Sequence, residues 1–182
     1  MKRRKSNKSD LLTAINGVAD EVNGVLDDEE EEKYFYALVL LYSFTENILK
    51  HICFVDALWK QSQLEFGELH RDITAIVAEK YLDTTFEQAI RNASKGRLKR
   101  SKKLLDSLRG LKRKRNNFIH QLWLHEQARS NPKLLRRELE EAAHIANALV
   151  TRVNKMQKEM GALDLYYPGD WLNEKHYFEI ER

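Results

Sequence analysis

Residues 30–59 read EEEKYFYALVLLYSFTENILKHICFVDALW, the most apolar stretch of the chain. Its apolar positions recur at helical spacing and predict one long helix, the central packing element of the fold. Val39, Tyr42, Glu46, Leu49 and Cys53 lie at i, i+3, i+4 intervals and share one face. Glu46 is therefore a carboxylate set in an apolar stripe, where an ionised group needs a partner. The run 35–44 is too short to span a bilayer before Glu46, Asn47, Lys50 and His51 interrupt it. The basic start MKRRKSNKSD leads into an amphipathic segment and does not read as a signal peptide. These features predict a soluble, cytoplasmic protein with no membrane partner.

The complementary charge lies in residues 108–123, LRGLKRKRNNFIHQLW. At ~100° per residue, Leu108, Leu111, Phe118, Ile119 and Leu122 fall within about 60° of Arg115. A guanidinium at the centre of an apolar stripe must meet an acid or face a cleft, and Glu46 is the candidate acid. Asn116 and His120 share a second face, at the stripe's edge. Arg115 and His120 are five apart, roughly 140° around an ideal helix. Three arrangements would bring them to one point: Arg115 reaches around, the helix is irregular, or a second subunit completes the site.

Outward from these two stretches, the chain reads as all-α. Gly and Pro number only 7 and 2 among 182 residues, charged residues make up 32%, and no segment alternates with strand period. Ser9 or Asp10 can cap a first helix with Leu11, Leu12, Ile15, Val18, Ala19, Val22, Val25 and Leu26 on its apolar face. The acids at 27–32 place negative charge at the start of the second helix. Ser62 with Glu65, and Thr84 with Glu87, have the spacing of capping boxes. A helix is expected over about 68–81 and a short one through about Ala93, followed by a turn at 92–96. Leu98, Leu104, Leu105, Leu108 and Leu111 carry a basic amphipathic helix into the Arg115 segment, with a break expected at Gly110. Asn131 as N-cap and Pro132 as first residue open the last helix, which runs to Gly161. The predicted architecture is an antiparallel four-helix-bundle core with additional short helices. Residues 1–8 form a disordered basic arm and 9–161 the helical domain. Residues 162–182 form an aromatic tail packed on the bundle or on a dimer partner.

The net charge is only +3, yet residues 91–115 hold twelve Lys or Arg against the single Asp106, a net +11. Such asymmetry points to a polyanion partner more strongly than the total does. Arg97, Lys99, Arg100, Lys102, Lys103, Lys112, Arg113 and Lys114 are the candidates for guiding a nucleic-acid backbone. The lone Cys53 excludes an internal disulfide framework and reads as a core thiol. His51, His70, His125, His144 and His176 are scattered, with no zinc-helix spacing. No phosphate-cradling Gly loop, serine-nucleophile motif or Cys/His cluster is present, and no cofactor or metal is implied.

The spacing Arg115-x4-His120, with Asn116 beside the Arg, resembles the Arg-x4-6-His motif of HEPN domains, the signature of metal-independent ribonucleases that include toxins and antiviral defence proteins. The resemblance covers about residues 34–161. It implies an endoribonuclease with Arg115, His120 and Asn116 at the catalytic centre and Glu46 orienting the Arg. It also implies a homodimer whose two motifs share a composite site, and an antitoxin or regulatory protein as a further partner. In members paired with a nucleotidyltransferase antitoxin a Tyr commonly follows two places after the His; here that residue is Leu122, so modification there is not expected. The chemistry agrees with the assignment. His120 can accept or donate a proton near neutral pH, and the Arg115 fork matches two phosphate oxygens. The alternative reading is a non-catalytic HEPN-like module that binds RNA, a nucleotide or a protein.

Overall fold

The computed structural model describes residues 9–64, 77, 80–120 and 131–159. Helix α1 covers Ser9–Asp27, and a 3₁₀ turn at Glu31–Lys33 leads into α2, Tyr34–Leu64. Helix α3 covers Phe86–Lys95, α4 Lys102–His120 and α5 Pro132–Glu159. The described residues contain no strand, and the fold is all-α.

The core is built on α2, which packs most extensively on α5 and then on α3 and α1. Leu38, Leu41, Tyr42, Leu49 and Ile52 are among its largest fully buried side chains. Each aliphatic residue of this set contributes about 1.5–3 kcal/mol of burial free energy. From the last helix Leu139, Ala142, Ala146, Leu149 and Val153 close the core, and α1 adds Ala19, Val22, Val25 and Leu26. The segment Glu31–Lys60 is long and apolar enough to cross a membrane by composition. In this fold 61% of its most apolar window is buried inside the protein.

Side-chain pairs give the helix directions. Arg115 meets Glu46 and Phe118 meets Tyr42 and Phe35, so α4 runs against α2. Arg152 meets Ser101 while Lys114 meets Glu138 and Glu141, so α5 runs against α4. Successive long helices α2, α4 and α5 thus alternate in direction, which is compatible with an antiparallel bundle. The turn between α1 and α2 holds Glu29 at a φ of 52°. Its carboxylate is pinned to α5 by Arg136 at 2.9 Å.

Several local expectations shift. Asn131 caps α5 as expected, its side-chain oxygen accepting from the Leu134 amide at 3.1 Å. Helix α2 runs on through Ser62 to Leu64, so Ser62 opens no new helix. The cap of α3 is Thr85 rather than Thr84: its hydroxyl accepts from the Gln88 amide, while Thr84 donates back to the Tyr81 carbonyl. Helix α3 extends to Lys95, through most of the turn expected at 92–96, and Gly96 is the C-cap. Gly110 does not break α4. A helical Gly costs only about 1 kcal/mol relative to Ala, and burial of Leu108 and Leu111 beside it outweighs that. The arm 1–8, most of the helix expected over 68–81, and the tail 162–182 lie outside the described residues.

Candidate functional site

Arg115 sits in the second turn from the end described for α4, on the face that carries Leu108 and Leu111 into the core. Its Nη2 lies 2.9 Å from Glu46 Oε2 on α2. The other carboxylate oxygen of Glu46 lies 2.8 Å from Lys50 Nζ, one helical turn on. Glu46 is thus a buried carboxylate shared by two cations. The Arg115 side chain keeps 28% of its surface, against 12% for Glu46. Its guanidinium carbon stands 6.0 Å from the Phe86 ring centroid, within cation–π range. Its Nε is buried without a hydrogen-bond partner among the described residues. The fold therefore fixes this arginine on one side and leaves part of its donor capacity unused.

Phe118, one turn beyond, tilts against Phe35 and Tyr42 at centroid distances of 6.5 and 6.4 Å. The Tyr42 hydroxyl is buried without a hydrogen-bond partner among the described residues. Burial, then the Glu138 and Glu141 carboxylates, push its pKa above the usual tyrosine range. Asn116 is half-buried beside Arg115. Helix α4 is a regular α-helix through the backbone of His120, so the two motif positions keep their ideal separation of about 140°. An irregular helix is ruled out as the means of joining them between 102 and 120. The His120 side chain, like all of His125, lies outside the described residues.

The eight basic candidates divide into two groups. Arg97 is held by Asp56 and Glu159. Lys112 is held by Glu87, whose carboxyl is kept below its usual range by Lys112 and then Arg91. Lys114 lies 2.6 and 2.7 Å from Glu138 and Glu141. Burial works against the Lys114 charge, but those two carboxylates prevail and raise its pKa. These three cations serve the fold. Lys99, Arg100, Lys102, Lys103 and Arg113 are exposed and carry no ion pair among the described residues.

Two side chains of this region escape a reading of the sequence. Lys50 is legible in hindsight, since i, i+4 from Glu46 is ion-pair spacing. Phe86 has no sequence signal, because only the fold brings α3 under Arg115. Cys53 is a core thiol, as expected; burial and then Asp56 push it up to about 12, and it donates to the Ala89 carbonyl. His51 on α2 is half-buried with its Nε2 shielded from solvent, and burial pushes its pKa down to about 4. Among the described residues no group of three or more His, Cys, Asp or Glu could hold a metal ion.

Compared with known protein families, curated proteins and solved structures, the chain finds no match.

Proposed function

We propose that the chain is a metal-independent endoribonuclease of HEPN type, acting in the cytoplasm as a toxin or antiviral effector. The observation that carries this reading is the setting of Arg115. It is a partly exposed guanidinium, braced by the buried Glu46 and the Phe86 ring, in the Arg-x4-His segment itself. Bracing of this kind pre-orients a donor fork, and a pre-oriented cation stabilises a developing phosphorane more than a mobile one does. In the proposed reaction the ribose 2′-OH loses its proton, its oxygen attacks the adjacent phosphorus, and the 5′-oxygen departs with a proton. The products are a 2′,3′-cyclic phosphate and a free 5′-hydroxyl. His120 supplies one of the two proton transfers and Asn116 holds the imidazole or the phosphate. A second copy of the chain supplies the other transfer, because one imidazole cannot act as base and acid together. The angular separation of Arg115 and His120 on a regular α4 supports this composite, dimeric site.

The assay is cleavage of a labelled RNA by wild type, Arg115→Ala and His120→Ala. Each substitution should lower the rate by about 10²-fold or more. Activity should persist in EDTA. DNA should stay intact because it lacks the attacking 2′-OH. The Arg115–Glu46–Lys50 arrangement also favours a second reading, a non-catalytic binding module in which Arg115 is purely structural. Salt-dependent RNA binding, with no cleavage by the wild type, would select it.

A further inference from the structure

Between the first half of α4 and the middle of α5 lies an open groove of about 800 Å³. Arg100, Lys102 and Lys103 line one wall, His144, Arg152 and Lys155 the other, and Ile145 and Ala148 belong to its apolar surface. Five of these groups are fixed cations, and none has a carboxylate partner among the described residues. The acids nearby are already engaged: Glu141 with Lys114, and Asp106 with Arg109 at 2.6 Å. Arg152 is further oriented by donating to the Ser101 hydroxyl at 2.8 Å. Cations drawn from segments some fifty residues apart, Ser101 to Arg152, converge on one concavity whose one lining carboxylate, Glu141, is already paired with Lys114. Their mutual repulsion opposes folding, so the groove is built for a polyanion rather than for stability.

We propose that this groove binds the phosphodiester backbone of single-stranded RNA and so forms the path of the substrate strand away from the cleavage site. The proposal rests on the ribonuclease reading for its substrate. Lys103 and Arg115 are twelve residues apart on α4, about 18 Å along the axis. One strand that touches both spans several nucleotides. Among the described residues no Phe, Tyr or Trp lines the groove, and the His144 imidazole is its single aromatic ring, so the contact is mainly one of charge rather than sequence. The α5 half of the site, Arg152 and Lys155 with His144 between the helices, gives no signal in the sequence. Those residues sit on α5's polar face, where a run of mixed charge resembles any solvated helix. Arg97, Lys112 and Lys114 drop out of the path because acids already hold them.

The test is fluorescence anisotropy with a labelled 2′-O-methyl RNA of about 12 nucleotides, within the usual footprint of a single-strand-binding module. This probe cannot be cut, since its 2′-oxygens are blocked. Lys103→Glu/Lys155→Glu should bind it at least about 10-fold more weakly than wild type at low salt. Its log–log salt slope should be shallower by roughly 1.4, because two fewer phosphates are neutralised. Lys80→Glu/Lys133→Glu, an equal charge change on exposed residues outside the groove, should bind nearly as wild type does. Wild-type affinity in the groove variant, or equal weakening in both variants, overturns the proposal. The ribonuclease reading fails separately: if His120→Ala cuts unmodified RNA at the wild-type rate while the groove variant still binds weakly, the groove stands and the catalytic assignment falls.

Discussion

Truncating Glu46 should harm the fold more than truncating Arg115, although the two are ion-pair partners. When Arg115→Ala removes the guanidinium, Glu46 keeps Lys50 at 2.8 Å. The buried carboxylate is therefore not orphaned, and the loss is about 1.5–2 kcal/mol, the low end for one charged contact because Arg115 is partly exposed. When Glu46→Ala removes the carboxylate, two cations with side chains only 28% and 15% exposed are left facing each other. Uncompensated buried charge costs about 3–5 kcal/mol, so Glu46→Ala falls near the lower part of that range. Lys50→Ala alone should resemble Arg115→Ala. The double variant Arg115→Ala/Lys50→Ala finally strips Glu46 of both partners and should exceed the sum of the two single losses. Urea unfolding followed by far-UV circular dichroism measures all four. Arg115→Ala as damaging as Glu46→Ala, or a strictly additive double variant, would refute the shared-carboxylate account.

The His51 imidazole is held near 4 by burial, below its reference of about 6.5, so the unfolded chain binds the proton first as pH falls. Its contribution is complete above about pH 7 and declines between about 6.5 and 4, by up to about 3 kcal/mol. Unfolding free energies at pH 7 and 5 should therefore differ less in His51→Leu than in wild type, and equal differences would contradict this. Asn131→Ala removes the α5 cap and should cost about 1 kcal/mol in urea unfolding. At Gly96 an added Cβ would lie 2.5 Å from Asp56 Oδ2, and that carboxylate is held by Lys60 and Arg97. Gly96→Ala should lower stability by roughly 1–3 kcal/mol, and a neutral result would show that the Asp56 cluster yields freely.

What was legible in the sequence was whatever repeats at helical period or sits at a helix end. The α2 stripe placed Glu46 on a buried face and the α4 stripe placed Arg115 on another, and their pairing followed from charge alone. Asn131-Pro132 marked α5 to the residue because that cap is a local structure. Thr84 and Thr85 were harder to separate, since neighbouring hydroxyls offer the same chemistry and only the backbone torsion selects one. At Gly110 a local propensity near 1 kcal/mol favours a break, but the tertiary burial of Leu108 and Leu111 on either side outweighs it. The division of the basic segment into structural and free cations was not legible at all. It depends on which acids, Glu87, Glu138 or Glu159, arrive from distant parts of the chain.

We propose that His120 moves a proton in RNA cleavage. The most direct measurement compares the initial rates of wild type and His120→Ala on one labelled RNA, in EDTA, after circular dichroism has established that the variant is folded. His120→Ala should lose about 10²-fold or more, and wild-type products should end in a 2′,3′-cyclic phosphate or its 3′-phosphate hydrolysis product. A folded His120→Ala protein that cuts at the wild-type rate would contradict it.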